Sequence, residues 1–359
     1  MSITISTPDA LRQSVEAASG GANTVLYDAK GYPSVMCIVP RFNIEDIDPA
    51  LGSGTHPAFV VNGVPKSEIF VGKFLSRIHD GHALSLPGQD PSAAINFDTA
   101  DARCTAKGPG WHMMTNAEWS AVALWCWKNG FMPRGNTQYG RDHVQQYETG
   151  RRQDGAAPGE ASGTARTLTG SGPASWFHDN TPAGIADLTG NVWEWQRGMR
   201  MVDGEIQIIP DNDAAATDAD HSPASALWKA IMPNGSLVAP GTAGSLKWNA
   251  TGADGTGSPE LDTAVTSQSD GTTSASAMYK DVAAAAGVTV PNLLKLLGLF
   301  PYDATIERGR FYMRNEGERL PFRGGNWLYG GGAGLFALSL NDPRSYVHTS
   351  LGFRPAFVI

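Results

Sequence analysis

Charged residues are scarce in this sequence, and neither sign is concentrated in one place. Asp, Glu, Lys and Arg make up 17% of the 359 residues, below the typical share of about 25%. The formal net charge is −8, and Lys and Arg form no run. Because contacts to phosphates need clustered basic side chains, we expect no nucleic-acid partner.

Cysteine and histidine are also too sparse for an evident metal site. Cys37, Cys104 and Cys126 match no zinc or redox spacing, so we predict buried free thiols. Of the eight histidines only His79 and His82 lie close together, in HDGH. We expect these two to be solvated loop residues, with a metal site as the alternative.

Long apolar runs are missing as well. No segment reaches the roughly 18 apolar residues that a membrane helix needs, so no membrane insertion is expected. The opening MSITISTPDALRQSVEAASGG lacks the basic and apolar regions of a Sec signal peptide. We therefore expect no Sec export and a cytoplasmic location until release by some other route.

Glycine, proline and tryptophan are abundant instead. The 42 glycines and 23 prolines exceed average usages of about 7% and about 5%, which favours a loop-rich fold over a helical bundle. Ten tryptophans supply large apolar area for a core. The length fits one large domain or two of ordinary size.

Short elements with clear boundaries open the chain. A first helix is predicted with Ser6 or Thr7 as its cap, Pro8 in its first turn and Gly20-Gly21 at its end. Strand-type runs are predicted to follow at residues 24–27, 35–39, 58–61 and 67–70.

The strongest helix signal begins at Thr115. Thr115 and Glu118 form a capping box, and Gly130 lies where a C-terminal glycine belongs. Trp119 and Trp127 recur at helical spacing, so this is predicted to be a core helix.

The composition changes near residue 200. Residues 211–277 are rich in Ala, Gly, Ser, Thr and Asp, which favours a loosely structured insertion over a second core. An Ala-rich helix is predicted near residues 274–286, and Pro291 is expected to open another in PNLLKLLG. After Arg308 the strand pattern returns.

Three segments combine glycine, tryptophan and charge: residues 187–195 (DLTGNVWEW), 322–327 (FRGGNW) and 351–357 (LGFRPAF). Their glycines permit tight turns or close backbone approach. Arg323 and Arg354 are predicted to pair with Glu194 or Asp187. Taken alone, these residues favour a structural junction over a catalytic site.

The ordered motifs G-N-V-W-E-W, R-G-G-x-W and G-F-R, with the helix segment 110–125, resemble the formylglycine-generating-enzyme-like branch of the C-type lectin fold. The resemblance implies an α+β fold, with residues 1–30 as an N-terminal helical extension and residues 31–359 as a C-type-lectin-like domain. It covers about residues 35–200 and 305–359, which leaves about 200–305 as an insertion.

The enzymes of this branch depend on residues that this chain lacks. The formylglycine-forming oxidases place a copper-binding cysteine pair after R-G-G-x-W, whereas no cysteine follows Cys126 here. We therefore predict a protein with no catalytic residues. The rival to this prediction is an oxidase or related enzyme whose active site has moved, and a structural virion component without a recognition role is a second non-catalytic candidate.

The tail, residues 324–357, resembles the variable proteins of diversity-generating retroelements, including phage tropism determinants. In that family, asparagine codons of this segment are randomised while intervening residues stay fixed. The resemblance implies a variable segment at residues 326–351. The implied variable positions are Leu328, Tyr329, Gly331, Gly332, Ser339, Asp342, Tyr346, His348, Thr349 and Ser350.

A second set of residues is expected to be fixed, and we call it the framework: Arg323, Gly324, Gly325, Trp327, Gly334, Leu335, Phe336, Ala337, Leu338, Leu340, Arg344, Ser345, Val347, Gly352, Phe353 and Arg354. Apolar and paired Arg side chains suit a packed core, whereas Tyr, Ser and Gly suit an adaptable recognition surface. The variable side chains are therefore predicted to point to solvent. The alternative is an ordinary glycine-rich loop.

The resemblance thus implies a ligand-binding display protein without a required cofactor. Its partner would be a macromolecule, most simply a protein, on a host or bacterial surface, in the setting of a phage particle, a prophage product or a cell-surface adhesin. Calcium is a secondary possibility, with Asp187, Glu194 and the Gly190 and Val192 carbonyls as ligands. The alternative for these carboxylates is a plain ion pair with an arginine.

Overall fold

Residues 9–359 are described by a computed structural model as a mixed α+β chain in which strands predominate. The predicted cap and first-turn residues Ser6, Thr7 and Pro8 lie outside the described residues. No helix within residues 9–359 is long and apolar enough to cross a bilayer. The helices are α1 (Ala10–Ser19), α2 (Ile44–Ile47), α3 (Phe97–Thr105), α4 (Asn116–Lys128) and α5 (Asn292–Leu296).

The strands are short. The N-terminal ones are β1 (Asn23–Tyr27), β2 (Pro33–Pro40), β3 (Val60–Val61), β4 (Val64–Pro65), β5 (Glu68–Gly72), β6 (Ser76–His79), β7 (His82–Ser85) and β8 (Trp111–Met113). The central ones are β9 (Trp193–Trp195), β10 (Met199–Val202), β11 (Glu205–Ile208), β12 (Lys229–Ile231), β13 (Leu237–Val238), β14 (Lys247–Ala250), β15 (Pro259–Asp262), β16 (Ala275–Met278) and β17 (Ala283–Ala284). The C-terminal ones are β18 (Arg310–Met313), β19 (Glu318–Arg319), β20 (Phe322–Gly324), β21 (Gly334–Leu340), β22 (Leu351–Gly352) and β23 (Pro355–Phe357).

The last strand of the chain, β23, lies inside the N-terminal sheet, between β5 and β8. The strand order of this sheet is β1-β2-β5-β23-β8, with antiparallel neighbours throughout. Helix α1 is capped by Asp9, ends at Gly20 in the left-handed conformation, and packs on β1. Residues 9–27 are therefore attached to this sheet through both α1 and β1.

Most of the predicted N-terminal strands are confirmed. The runs at 24–27, 35–39 and 67–70 fall in β1, β2 and β5, but 58–61 is a 3-10 turn leading into β3. The prediction of two solvated loop histidines is wrong for His82, whereas His79 is exposed as expected, although both belong to strands. His79 and His82 end a β6–β7 hairpin, and the buried His82 ring bonds the Asp28 carboxylate at 2.7 Å.

Helix α4 forms as predicted. The Thr115 hydroxyl accepts from the Glu118 backbone N–H at 3.1 Å, and the Glu118 carboxylate accepts from the Thr115 backbone N–H at 2.9 Å. Trp119 is buried and donates its indole N–H to the Leu335 carbonyl, while Trp127 is half-buried. The helix therefore anchors the C-terminal strand β21 to the core.

The prediction of a loosely structured segment at 211–277 is wrong. Strands β10 to β15 and β17, with β19, form an eight-stranded sheet. Trp248, Leu246 and Leu261 are fully buried in the principal core, and Trp228 is buried in a smaller cluster with Ile209 and Ala214. Each strand contributes few large apolar residues, and these form a core only when several strands pair. The composition of residues 211–277 therefore does not indicate that core.

The Ala-rich helix predicted near 274–286 is also wrong. This stretch contains β16, a 3-10 turn and β17. Ala275 and Ala277 are buried while Ser276 and Met278 are half-exposed, because pairing with β18 imposes a two-residue period over the helix propensity of alanine. The helix opened by Pro291 forms as α5.

The C-terminal sheet places the three motif segments side by side. Its order is β16-β18-β21-β20-β9-β22, in which β18 and β21 are parallel, as are β9 and β22. Every residue of the central strand β21 is buried. The G-N-V-W-E-W strand therefore lies between the R-G-G-x-W strand and the strand that precedes G-F-R.

A buried ion pair ties this sheet to the N-terminal one. Arg354 donates to both oxygens of Glu194 at 2.9 and 2.8 Å, and it also donates to the carbonyls of Gly72, Lys73 and Ala186. This confirms the predicted pairing of Arg354.

Arg323 does not pair with a carboxylate, contrary to the prediction. Its guanidinium donates to Asn116 Oδ1 and to the carbonyls of Leu297 and Gly298. Close backbone approach at the motif is confirmed at Gly190, where φ is +74° and a Cβ would lie 2.1 Å from the Asn136 carbonyl oxygen.

Candidate functional site

A pocket of about 190 Å³ opens where strands β9, β20, β21 and β22 meet the loops around them. Most of the implied variable positions line it. We call it the C-terminal pocket, and its lining is Trp193, Phe322, Asn326, Leu328, Tyr329, Ser339, Asn341, Asp342, Tyr346, His348, Ser350 and Leu351.

Strand pairing fixes the base of the pocket. Leu351 of β22 pairs with Trp193 of β9, and the Trp193 backbone N–H donates to the Ser350 carbonyl at 2.8 Å. Phe322 of β20 pairs with Ser339 of β21. The loops that follow these strands therefore begin next to one another and line the same pocket.

The floor is aromatic. The buried Trp193 ring meets Phe322 and Tyr329 edge to face, at centroid distances of 5.2 and 5.3 Å. Tyr312 packs against Tyr329 at 5.5 Å in the same geometry. Edge-to-face packing therefore orients the Tyr329 ring against the floor that Trp193 and Phe322 form.

One wall is a stacked pair of rings. Tyr346 and His348 lie 6.2 Å apart with an interplanar angle of 4°. Ser350 accepts from the Asn326 amide at 2.8 Å and lies 2.7 Å from Nδ1 of His348, which also accepts the Ser350 backbone N–H. In the neutral ring this network places the proton on Nε2, which leaves that nitrogen as a donor.

Oxygen acceptors also line the pocket. Asp342 is half-buried, and burial raises the pKa of its carboxyl, against the opposing effect of Arg314, Arg319 and His348. Oδ1 of Asn341 is buried and has no hydrogen-bond partner within residues 9–359. Burial also raises the pKa of Tyr329 and of Tyr346, with further contributions from Asp342.

The structure places the implied variable positions in three groups. Leu328, Tyr329, His348 and Thr349 are exposed, and Gly331, Gly332, Asp342 and Tyr346 are half-buried. Ser339 and Ser350 are buried at 3% and 2% exposure, so the expectation that they point to solvent is wrong. Ser350 is held by its hydrogen bonds and Ser339 by the central strand. Gly331, Gly332 and Thr349 lie outside the pocket lining.

Most framework residues are buried, but some are exposed. From Arg323 to Leu340 the framework residues are buried, and so are Gly352, Phe353 and Arg354. Ser345 and Val347 are exposed instead, because they lie in the loop after β21 and not on a strand. Arg344 is half-buried and pairs with Asp98 and Glu318.

Several pocket residues were missed by the sequence analysis. Trp193 and Phe322 belong to motifs that were interpreted as scaffold, and Leu351 to the strand before G-F-R. Asn326 and Asn341 are the two asparagines within residues 326–351. The asparagine-codon rule of the resembling family is the signal that would have found them.

The carboxylates considered for calcium are engaged in other contacts. Both oxygens of Glu194 accept from Arg354. Asp187 accepts the Gly170 backbone N–H at 2.8 Å, and burial raises its pKa to about 6. Within residues 9–359 no three His, Cys, Asp or Glu side chains are grouped to hold a metal ion.

The thiols are buried and separate from the pocket. Cys37, Cys104 and Cys126 are free and buried, as predicted. Burial raises the pKa of Cys37 to about 12 and those of the other two well above the ordinary thiol value. At neutral pH all three are therefore protonated, which makes them poor nucleophiles and poor metal ligands.

No protein-family model matches the chain, and no curated protein matches it. Among solved structures, the chain is similar to Treponema denticola variable protein 1. The match covers 93% of this chain and 98% of that one, with 11% sequence identity and a TM-score of 0.33.

Proposed function

We propose that this chain is a non-catalytic display protein whose C-terminal surface binds a macromolecular receptor on a host or bacterial surface. The observation that carries the proposal is the convergence of the implied variable positions on one pocket. Leu328 and Tyr329 come from the loop after β20, and Asp342, Tyr346 and His348 come from the loop after β21, yet all five line it. A concave site with aromatic walls and a few polar groups is typical of ligand recognition.

The packing under the pocket supports a division between a fixed base and replaceable rim residues. The floor residues Trp193, Phe322 and Leu351 belong to strands, whereas Leu328, Tyr329 and Tyr346 project from loops. Side chains on loops can change without disturbing the sheet that carries them. We propose that the core is C-type-lectin-like, of the formylglycine-generating-enzyme-like branch, with residues 200–305 as its insertion.

The thiols support a non-enzymatic role. A thiolate mechanism needs an accessible, ionised sulfur, whereas all three cysteines are buried with raised pKa values. We propose a phage or prophage setting for attachment on the sequence resemblance alone. Its test is the flanking DNA, where a near-copy of the last roughly 100 bases beside a reverse transcriptase gene is expected for a segment of about thirty codons.

Recognition is tested with a rim variant and a matched control. The rim variant carries Leu328→Ser, Tyr329→Ser and Tyr346→Ser. The control carries Leu237→Ser, Tyr147→Ser and Val144→Ser, all exposed side chains outside the pocket. Flow cytometry would measure binding of each labelled protein to a panel of bacterial strains, and thermal melts would check folding.

We expect the rim variant to lose or redirect binding, because aromatic anchors dominate interface energies. The control should keep the binding pattern of the parent. Equal binding by both variants would contradict the proposal, as would unfolding of the rim variant alone.

A further inference from the structure

Two oxygen acceptors in the C-terminal pocket have no donors. Oδ1 of Asn341 is buried without a hydrogen-bond partner, and within residues 9–359 no hydrogen bond or ion pair reaches the half-buried carboxylate of the adjacent Asp342. An unsatisfied buried acceptor such as Oδ1 of Asn341 is costly, and partial burial disfavours the charged form of Asp342. A ligand that supplies donors and positive charge would remove this cost.

The nearest cations of the chain are engaged in other contacts. The Arg314 guanidinium donates to the carbonyls of Thr272 and Thr273. Arg319 donates to the Arg314 carbonyl and lies 3.8 Å from the Glu316 carboxylate. Both arginines act on Asp342 only at a distance, so its oxygens remain available to a ligand.

The other walls suit the same kind of ligand. Trp193, Tyr329 and Tyr346 surround the cavity with aromatic rings, which attract cations over their faces. The cavity of about 190 Å³ is far larger than the roughly 10–15 Å³ that a single water needs. A planar guanidinium could bridge adjacent oxygen acceptors while stacking on a ring.

We propose that the pocket receives one cationic side chain, best an arginine, that projects from the surface of a protein receptor. The proposal rests on the proposed function, because it names the chemistry of the partner that the display surface recognises. Carboxylate, amide oxygen and aromatic faces together favour this ligand over a carboxylate or an aliphatic side chain.

The test uses the folded full chain and two small probes. One is N-acetyl-arginine methylamide, and the other is the neutral N-acetyl-norleucine methylamide of similar length. Their binding would be followed by NMR through the indole N–H signal of Trp193, assigned with Trp193→Phe. The variants are Asp342→Asn and, as a control, Asp281→Asn, whose side chain is exposed and outside the pocket.

We expect the arginine probe to shift the Trp193 signal and to bind at least about tenfold more tightly than the norleucine probe. Asp342→Asn should weaken arginine binding by about tenfold or more, since a charge-assisted hydrogen bond is lost. Asp281→Asn should leave it unchanged, and thermal melts should show both variants folded.

Three results would overturn the inference: equal binding of the two probes, arginine binding that Asp342→Asn leaves unchanged, or arginine binding that moves no pocket signal. In each case the proposed function stands if the rim variant still loses cell binding while its matched control does not. If the rim variant keeps cell binding, the proposed function fails whatever the probes do.

Discussion

The framework and the C-terminal pocket differ in how their polar groups are satisfied. The buried guanidiniums of Arg354 and Arg323 donate to a carboxylate, an amide and several backbone carbonyls. In the pocket, the Asp342 carboxylate and Oδ1 of Asn341 have no donors within residues 9–359. The guanidiniums of the framework are thus satisfied within the chain, whereas these oxygens of the pocket remain available to a ligand.

The largest expected effect comes from breaking the framework at its ion pair. Arg354→Met leaves the Glu194 carboxylate buried without its partner, so we expect a loss of about 3–5 kcal/mol in the free energy of unfolding. Urea denaturation measures it. The double variant Arg354→Met/Glu194→Met should recover much of the loss, because the lone buried charge is gone. A loss below about 1 kcal/mol in the single variant would show that the framework does not depend on this pair.

A smaller effect, of opposite sign, is expected at Asp187. Its folded pKa of about 6 lies above the unfolded value, so the folded state binds the proton more tightly and stability falls as pH rises from about 4 to about 6. Asp187→Asn keeps an acceptor for the Gly170 N–H and removes this penalty. We expect a gain of up to about 3 kcal/mol at pH 8 and little change at pH 4.

Thermal melts of parent and variant across this pH range give the measurement, repeated with millimolar calcium after chelation. We expect no calcium-dependent shift in either protein. A calcium-stabilised parent and a variant that loses this stabilisation would establish Asp187 as a metal ligand instead.

The parts of the fold predicted from the sequence are those with local chemical signals. The capping box of Thr115 and Glu118, the left-handed Gly20 and the helix after Pro291 each depend on a few adjacent residues. Residues 200–305 carry no such signal. Their core residues, such as Trp248 and Leu261, come together only through strand pairing between distant segments.

The sequence predicted which segment carries the site, but it did not predict which of its side chains are buried. The resemblance marked Tyr329, Asp342 and Tyr346 along the chain, but burial depends on what each side chain meets in three dimensions. Ser339 was expected at the surface and is buried by the neighbours of β21, whereas Val347 was expected in the core and is exposed. Hydrophobic periodicity cannot assign a loop side chain to the core or to the surface, because a loop has neither the helical nor the strand period.

The smallest expected difference in stability lies between Ser350, which lines the pocket, and the adjacent Thr349, which does not. Ser350 is buried and links the Asn326 amide to the His348 ring, whereas the Thr349 side chain is exposed. Ser350→Ala removes the acceptor of the Asn326 amide, so we expect a loss of about 1–2 kcal/mol in the free energy of unfolding. Thr349→Ala should change it by no more than about 0.5 kcal/mol.

Urea denaturation of the two variants side by side measures the difference, and each serves as the control for the other. Because both replacements create alanine at neighbouring positions, local backbone propensity contributes little to the contrast. Equal losses would mean that the rim is not divided into supporting and displayed residues. A loss confined to Ser350→Ala would place the boundary between framework and display surface between these two residues, and would assign Ser350 to the support of the His348 ring.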